Sequence, residues 1–597
     1  MTKRPVTHLE RAEADGGTSS VEQQSIFAQI EKGLLNNPQG LAVICMHQPR
    51  HHLSRWLGGD DDASPDSNVD CLTLTYSELH QAALSLVCSL DVLGAQPGQM
   101  VLCMVENGGE YAILLWACAI LRLALSAIDP LILDKNDTSS LEEYLQLLKP
   151  DLIVVQSSDG SGVVDSTYSG IPEIPRPKIR LFLHQQNNQV DSPAAGWISL
   201  HKVVNLKPPS TFCARSTVQQ ARLDDDPARI HSILFTSGTS AGRPKGCPLT
   251  VSNMVHILTS QSWLINGPTA ARVLQQAHNS RAIGPQHTLQ TWREGGTIVM
   301  STGPSFAIEH TIEAILRYHV SFIVLSPAMV HALTGVALPM EARDAVKTIQ
   351  VGGDVVTREI LGKCVALFPE AKVCVNHGMS EGGGFFEWPF FRTLLEEVPF
   401  FGGEICPAGK VAGGARVKIW DAKEGQVAVM GQSGELHVSC ESLIKGYLGG
   451  VDAASFYEDG EGVEWMNTGD IAIMTETDVD KLVYILGRAK DAVLGDGGTI
   501  IMPAVVESCI ERFTGSQTCV VPLGEKPYAV LKEWPHGMSK DEIVKDVEET
   551  LGEKHSITHV VSLSQVGLDR FPVNATHKIV KLEVQKALLK CFELTKG

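Results

Sequence analysis

A segment rich in glycine and hydroxyl residues, with one lysine near its end, has the chemistry of a phosphate-binding loop. It directly follows the mostly apolar run 230–235 and reads Thr236, Ser237, Gly238, Thr239, Ser240, Ala241, Gly242, Arg243, Pro244, Lys245, Gly246. Glycines let the backbone turn its N–H groups toward an anion, hydroxyls add donors, and the lysine adds positive charge. The common nucleotide-binding loop has adjacent Gly and Lys, whereas Arg243 and Pro244 separate them here. The sequence therefore predicts an ATP phosphate site on a different fold.

Four later segments, taken with this loop, resemble the signature motifs of the adenylate-forming superfamily. That superfamily comprises acyl- and aryl-CoA synthetases, adenylation domains of nonribosomal peptide synthetases, and luciferases. The matching segments, in chain order, are 376–381, 467–470, 487–491 and 574–581, and residues 75–79 resemble its Thr-Tyr-x-Glu-Leu helix start. The resemblance implies ATP- and Mg²⁺-dependent conversion of a carboxylic acid to an acyl-adenylate, followed by transfer to a thiol.

The resemblance implies roles for charged residues in these motifs. Lys578 matches the lysine that reaches from a mobile lid domain to the acid carboxylate and the α-phosphate, and Lys490 matches the pivot of that lid. Glu381 matches the glutamate that holds Mg²⁺ with the ATP phosphates, as expected for a cation that prefers oxygen ligands. Together with Lys245, the cations would offset the charge that develops as pyrophosphate leaves.

The resemblance also implies the contacts of the nucleoside. Asp470 and Arg488 match the residues that bind the ribose hydroxyls. The remaining implied ATP contacts are Gly352, Gly353, Asp354, Asn376, His377, Gly378, Met379 and Ser380. His377 stands where the superfamily commonly stacks an aromatic residue on adenine, Ser380 replaces a threonine, and His577 replaces the glycine before the lid lysine. These departures leave open a catalytically weakened relative that serves as a binding partner.

A competing hypothesis from another class of enzyme uses Ser380 as a nucleophile. Residues 378–382 read Gly-Met-Ser-Glu-Gly after a strand-like segment, which satisfies the Gly-x-Ser-x-Gly nucleophile elbow of an α/β-hydrolase. This hypothesis leaves the phosphate loop without a function. The adenylate-forming interpretation accounts for both segments.

Few residues of the sequence indicate which carboxylic acid is the substrate. In adenylation domains for α-amino acids, the family pattern has an aspartate that pairs with the substrate ammonium, but no carboxylate lies between Leu274 and Glu294 here. A buried ammonium without a counter-ion is costly. The sequence therefore favours an aryl or acyl carboxylic acid without a free α-amine, with His278 and Ser280 as candidate pocket residues.

The acceptor is inferred from the residues beyond the lid motifs. No carrier-protein serine motif is found there, so the acyl group goes to coenzyme A, to a separate carrier protein or to an amine. Gly497 and Gly498 belong to a segment that resembles the loop lining the pantetheine tunnel. Coenzyme A is the default acceptor.

Composition and periodicity predict the domain organisation. A chain of 597 residues with 44% apolar residues is long enough for several folding units. Alternating segments, with helices over 77–93, 308–318 and 540–550 and strands over 100–105, 123–128, 152–155, 322–325, 348–351 and 519–521, indicate an α/β fold. We expect a disordered lead-in (1–24), a large N-terminal adenylation domain of layered α/β subdomains (25–487) and a small mobile α+β lid (488–597).

Charge and cysteine usage limit the partners and the compartment. The formal net charge of −19 argues against a nucleic-acid partner, which would require a basic face. The apolar stretch 111–133 is interrupted by Arg122, Asp129 and Pro130, so no membrane span is predicted. Fourteen cysteines without metal-ligand spacing, and no secretory signal, predict a cytoplasmic protein with reduced thiols.

Residues 157–227, rich in Ser, Pro, Gln and Asp, predict long surface loops or an insertion.

Overall fold

The large N-terminal part of the chain is built on three sheets, and a smaller C-terminal part on one. The computed structural model describes residues 10–19, 23–57, 70–134, 138–184, 195–203, 214–236, 244–265, 271–301, 306–391, 394–478, 480–494, 500–523, 526–573 and 578–594. Two seven-stranded sheets and one nine-stranded sheet form the large domain, and a three-stranded sheet forms the core of the small one. The strands that flank the predicted phosphate loop and the predicted adenine turns belong to the two seven-stranded sheets.

The first seven-stranded sheet carries the flanks of the phosphate loop at one edge. From that edge its strands are Lys245–Thr250, Ile230–Thr236, Ala124–Ala127, Met100–Met104, Leu152–Ser157, Ile179–His184 and Ile198–Ser199. All neighbouring pairs are parallel except the first, which is an antiparallel hairpin. Parallel strands are covered on both faces, which explains their nearly continuous apolar sequences.

The second seven-stranded sheet brings two of the predicted ATP motifs side by side. Its strands, in spatial order, are Lys372–Asn376, Thr348–Gly352, Phe322–Leu325, Arg272–Gln275, Thr297–Met300, Leu41–Pro49 and Cys71–Thr75. The first two are parallel and in register, with Gly352 opposite Asn376 at their carboxyl ends. Ligands of open α/β sheets bind at this edge of the strands, so the topology places the motifs 352–354 and 376–381 together.

The nine-stranded sheet is antiparallel and corrects one prediction. Its strands are Glu13–Asp15, Ala415–Asp421, Ser433–Cys440, Glu464–Glu476, Lys481–Arg488, Gly409–Val411 and Phe386–Glu387, with Gln426–Val427 and Phe456–Glu458 paired at its sides. The predicted disordered lead-in is wrong for residues 10–19, because Glu13–Asp15 pairs with residues 416–418. Ala12 is fully buried and Arg11 donates to the Val427 carbonyl at 2.6 Å. Main-chain pairing with an available edge outweighs the polar composition.

The small domain has a sheet covered on both faces. Its strands are Thr518–Leu523, Lys526–Leu531 and His559–Ser562, a short hairpin joins Val493–Leu494 to Ile500–Ile501, and its helices are Pro503–Thr514, Lys540–Leu551 and Lys581–Leu594. Two separate apolar clusters, one on each face of the sheet, include Val520 and Ile543 on one side and Val521 and Leu588 on the other. This part of the chain therefore has a core of its own.

Fifteen α-helices of the described large domain pack on its sheets, and the start of one explains an early motif. They are Ile26–Asn36, Ser54–Leu57, Tyr76–Val92, Gly109–Leu121, Leu131–Asp134, Thr138–Leu148, Ser158–Gly170, Leu200–Val203, Ala214–Arg222, Val251–Ser260, Ile283–Arg293, Ile308–Tyr318, Pro327–Thr334, Met340–Ala345 and Arg358–Leu367. Thr75 and Glu78 form a capping box, in which each side chain accepts a hydrogen bond from the other residue's backbone N–H. The 75–79 motif is therefore a helix start.

The most apolar segment is a core helix, as expected. All residues of Gly109–Leu121 are buried, and Trp116 packs edge-on against Trp292 with ring centroids 5.1 Å apart. No helix in the described part of the chain is long and apolar enough to span a bilayer.

The prediction of loops over 157–227 is wrong in part. Ser158–Gly170 is a helix whose N-cap is Ser157, and Ile179–His184 is a strand of the first sheet. Val164 and Tyr168 bury one side of this helix. Tertiary packing of that side outweighs the low helix propensity of its glycines and serines.

Candidate active site

The phosphate-loop segment is held at the end of an antiparallel hairpin. Thr236 and Lys245 are paired residues at the ends of their strands, so the two ends of the segment lie side by side at the sheet edge. Ser237, Gly238, Thr239, Ser240 and Gly242 lie outside the described residues. The hairpin fixes where the loop begins and where its lysine emerges.

Two residues that sequence reasoning missed engage Lys245. Its ammonium lies 2.6 Å from Oδ2 of Asp452 and 5.1 Å from the centroid of the Tyr447 ring. The hydrogen bond from Lys245 lowers the pKa of Asp452, so this carboxylate is ionised at neutral pH. Asp452 adopts a left-handed backbone conformation with φ of 53°. No local sequence signal marks either residue, because both are more than 200 positions from the lysine.

The same tyrosine joins the lysine to the predicted metal-binding glutamate. The Tyr447 hydroxyl donates to Oε1 of Glu381 at 2.5 Å, and the backbone N–H of Ile444 donates to the Glu381 carbonyl at 2.9 Å. Burial, and then the charge of Glu381, raise the pKa of Tyr447 well above its usual range, so the phenol remains a donor. Glu381, Tyr447, Lys245 and Asp452 therefore form one connected polar cluster, which we call the phosphate-end cluster.

The donor set of this cluster fits magnesium. Mg²⁺ is bound in proteins by one or two carboxylates together with substrate phosphates and water. Within the described ranges no group of three or more His, Cys, Asp or Glu side chains could form an all-protein metal cage. The Glu381 carboxylate, in one cluster with the predicted phosphate-binding Lys245, fits a metal ion held jointly by protein and phosphate oxygens.

A second cluster surrounds the predicted ribose-binding carboxylate. Asp470 is buried, with His377 Nε2 3.5 Å from its Oδ2 and Arg488 Nε 3.1 Å from its Oδ1. Arg488 also donates to the Thr468 carbonyl at 2.7 Å. Burial alone would raise the pKa of Asp470, but the hydrogen bond from His377 and the charge of Arg488 outweigh it and lower the pKa. Motifs separated along the chain thus meet at an ionised carboxylate.

The predicted adenine turns leave unsatisfied polar atoms between them. Gly352 must be glycine, because a Cβ there would lie 2.2 Å from the Asn376 carbonyl oxygen. Asn376 Oδ1 and His377 Nδ1 are buried and have no hydrogen-bond partner among the described residues. A Cβ added at Gly378 would meet nothing within 4 Å, so that side of the turn is open. Buried polar atoms are normally paired, and a purine beside this turn could satisfy these two.

The lid lysine reaches the large domain. A Cβ built on Gly353 would lie 4.0 Å from Cε of Lys578. Lys578 lines a cavity of about 140 Å³ between the two domains, whose walls also include Asp354 and Arg488. Lys490, the predicted pivot, lies in the short 3₁₀ turn Ala489–Asp491 that follows the last strand of the large domain. The C-terminal motif and the adenine turn are therefore adjacent in space.

Comparisons with known proteins agree with this geometry. The sequence model of the family described as AMP-binding enzyme matches residues 61–448.

The chain belongs to the AMP-binding enzyme family.

An acyl-CoA ligase of Pestalotiopsis microspora is 41% identical over 599 aligned residues, which cover 98% of this chain and 99% of that protein. A 4-coumarate–CoA ligase-like protein of Arabidopsis thaliana is 23% identical over 87% of both chains. The predicted superfamily and the predicted enzyme class, an AMP-forming ligase, are confirmed.

Solved structures confirm the fold class of this AMP-binding family member. ATP-bound MatB from Rhodopseudomonas palustris aligns with a TM-score of 0.71 and 18% identity over 95% of this chain and 99% of that one. An anthranilate CoA ligase in complex with anthranoyl-AMP aligns with a TM-score of 0.71 and 16% identity over 95% and 98% of the two chains. At this identity the likeness establishes the α/β fold with its large N-terminal domain and smaller C-terminal domain.

The two predicted acid-pocket residues of this family member bind each other. The ring of His278 is buried, with Nδ1 2.9 Å from the Ser280 hydroxyl and Nε2 3.1 Å from the Val105 carbonyl oxygen. Burial lowers the pKa of His278, so the ring is neutral, with Nε2 donating to the carbonyl and Nδ1 accepting. These two hydrogen bonds hold the His278 ring in one orientation. The place of His278 in an acid pocket stays a prediction. Gly497 and Gly498 lie outside the described residues.

The hydrolase alternative is wrong for this AMP-binding family member. Ser380 lies in the turn between the paired two-residue strands Gly378–Met379 and Gly382–Gly383. A nucleophile elbow requires a sharp turn from a strand into a helix. The Gly-x-Ser-x-Gly spacing instead belongs to a hairpin that delivers Glu381 to the phosphate-end cluster.

Proposed function

We propose that this protein is an AMP-forming acyl-CoA ligase. It converts a carboxylic acid and ATP to an acyl-adenylate and pyrophosphate, and then transfers the acyl group to the thiol of coenzyme A with release of AMP. The observation that carries the proposal is the proximity of Lys578 to the turn 352–354, because it supports a role for this C-terminal lysine at the proposed nucleotide site. The relative with 41% identity, an acyl-CoA ligase, supports coenzyme A as the acceptor.

The phosphate end of ATP is assigned to the phosphate-end cluster and the loop beside it. Lys245 would exchange its contact with Asp452 for the β- and γ-phosphates, because a phosphate carries more negative charge than one carboxylate. Glu381 would hold Mg²⁺, and the hydroxyl of Tyr447, which donates to Oε1, would orient this carboxylate. When bound, Mg²⁺ supplies positive charge that stabilises departing pyrophosphate.

The nucleoside end is assigned to the carboxylate cluster and the two glycine turns. Asp470, kept ionised by its neighbours, would accept hydrogen bonds from both ribose hydroxyls, and Arg488 would add a contact to the same sugar. His377 and Asn376 offer the buried unpaired atoms that an adenine edge would satisfy. Met379 and Ser380 would shape the floor of this site as neighbours of Glu381 in the hairpin.

The two half-reactions are assigned to two lid orientations. In the orientation observed, Lys578 would neutralise the acid carboxylate and the α-phosphate as the anhydride forms. Rotation about Lys490 would withdraw that lysine and admit the thiol, because hinge residues absorb the backbone change of such movements. Thiol entry along the segment of Gly497 and Gly498 remains an expectation from resemblance.

The substrate is proposed to be an aryl or acyl carboxylic acid without an α-amine. No carboxylate lies between residues 274 and 294 to pair with an ammonium, and His278 is held neutral. An α-amino acid would therefore bury an unpaired charge on binding.

Mass spectrometry of the purified protein tests the proposal. The protein is incubated with ATP, Mg²⁺ and pooled aryl acids, short- and long-chain acids and amino acids, with and without coenzyme A. We expect acyl-AMP from an aryl or acyl acid without coenzyme A, and acyl-CoA with it, and neither from Lys578→Ala. Acyl-AMP that accumulates in the presence of coenzyme A would instead point to a carrier-protein or amine acceptor. Absence of both products would contradict the proposal.

A further inference from the structure

A buried carboxylate of the large domain is bound by the lid. The Glu404 side chain is 5% exposed. Its Oε1 accepts from Nε of Arg512 at 2.8 Å, and its Oε2 accepts from the hydroxyl of Ser508 at 2.9 Å. Both donors belong to the lid helix Pro503–Thr514. The two oxygens of one large-domain carboxylate are thus both satisfied across the domain boundary.

Each side of this contact is fixed within its own domain. The Glu404 carbonyl accepts from the backbone N–H of Arg358 at 2.7 Å. In the lid, the second guanidinium nitrogen of Arg512 lies 3.6 Å from Oδ2 of Asp546 and 3.3 Å from the Thr550 hydroxyl. A charged pair with both partners held in place loses little conformational entropy on forming. The contact therefore joins two residues that are each anchored within their own domain.

A second contact lies on the same face of the lid helix. Glu511 and Arg512 follow Ser508 by three and four positions in this helix, and residues at these spacings lie on the same face as Ser508. Nε2 of His331, from the large domain, lies 3.5 Å from Oε2 of Glu511. Ser508, Glu511 and His331 line the same interdomain cavity as Lys578. Lys578 and the face of the lid helix that contacts the large domain therefore line the same cavity.

We propose that Glu404, through Arg512 and Ser508, is a latch that holds the lid in the orientation presenting Lys578. Glu404 touches no reacting group, so it is a positioning residue. The latch rests on the proposed function for its role in the reaction: it favours acyl-adenylate formation and must open before thiol transfer. Neither the glutamate nor the arginine belongs to any motif of the resembled superfamily found in the sequence.

Glu404→Gln should separate the two half-reactions. The amide keeps the shape but removes the charge and one acceptor, so adenylation should fall by about tenfold, the size expected for losing a charge-assisted hydrogen bond. Adenylation is measured as pyrophosphate release from the pooled acids with MgATP and no coenzyme A. Thiol transfer is measured by chasing the enzyme-bound adenylate with coenzyme A in a single turnover, and its rate should be unchanged or higher.

Hydrogen exchange gives a readout that needs no substrate. Amides in segment 403–406 and in Pro503–Thr514 should exchange faster in Glu404→Gln than in the native protein. Arg512→Gln should increase exchange in the same segments, and the amides of the double variant should exchange no faster than those of either single variant. The control is Glu31→Gln, which breaks a comparable ion pair, Glu31 with Arg222 at 2.6 Å, remote from the lid. It should change neither the ratio of half-reactions nor exchange at the interface.

Two results would overturn the latch. One is an equal loss of both half-reactions in Glu404→Gln, which would indicate general destabilisation. The other is unchanged exchange in both interface segments. If the native protein forms no adenylate from any pooled acid, the proposed function fails, and the exchange measurement still decides whether the latch exists.

Discussion

Tyr447 contacts the predicted metal-binding Glu381 through its hydroxyl and the predicted phosphate-binding Lys245 through its ring, and removal of the hydroxyl tests the phosphate-end cluster directly. In Tyr447→Phe the ring stays, so its edge contact with Phe456 and its position below Lys245 are kept. Only the 2.5 Å hydrogen bond to Glu381 is lost. That carboxylate would then be free to rotate away from the metal position.

The magnitude depends on the kind of bond lost. A hydrogen bond to a charged group contributes about 1.5–3 kcal/mol when its partner is left buried and unpaired. Glu381 is half-buried, so water can replace the hydroxyl, and we take the net loss as about 1 kcal/mol. At about 1.4 kcal/mol per tenfold change, this equals roughly a fivefold weakening of Mg²⁺ binding.

The assay is pyrophosphate release at fixed ATP over a range of Mg²⁺ concentrations. We expect the half-saturating Mg²⁺ concentration to rise roughly fivefold in Tyr447→Phe, with the rate at saturating Mg²⁺ nearly unchanged. The matched control is Tyr457→Phe, which removes a hydroxyl bound to His437 at 2.6 Å, away from Glu381. An unaltered Mg²⁺ dependence, or a loss that excess Mg²⁺ fails to restore, would refute the proposed role of Glu381 and its tyrosine.

Three further variants have defined expected outcomes. Lys578→Ala should abolish adenylate formation and spare thiol transfer from enzyme supplied with adenylate, and equal loss of both steps would contradict the two-orientation lid. Lys490→Pro should spare adenylate formation and abolish thiol transfer, because the fixed φ of proline stiffens the pivot. Normal thiol transfer by this variant would refute the hinge assignment. Asp470→Asn should raise the KM for ATP in pyrophosphate release. Because the folded-state pKa of Asp470 is lowered, its ionisation stabilises the fold above its ordinary pKa of 3.8, and this contribution is lost as pH falls through the lower folded value. The difference in unfolding free energy between wild type and Asp470→Asn, measured by denaturant titration, should therefore shrink below pH 3.8, and a constant difference would count against an ionised native carboxylate.

Local patterns identified many of the elements. The helix expected over 308–318 and the strand expected over 322–325 are found with those bounds, and the other predicted elements differ by a few residues at their ends. Such patterns succeed because hydrophobic periodicity and capping residues act within a few positions. They fail where a strand forms only because it pairs with a distant segment. Glu13–Asp15 is such a strand, since its partner lies some 400 positions later.

In the candidate site, too, some features follow from local sequence and others depend on contacts between distant residues. The sequence alone determined the family, the ligase chemistry and the residue types available for it, because each motif is a short continuous segment whose turn and charge are encoded locally. Only the tertiary structure decided that Tyr447 binds Glu381, 66 positions away, and that Arg512 binds Glu404, 108 positions away. Contacts between residues so far apart depend on which sheet edges and helix faces are packed together, and no local pattern of residues specifies that packing.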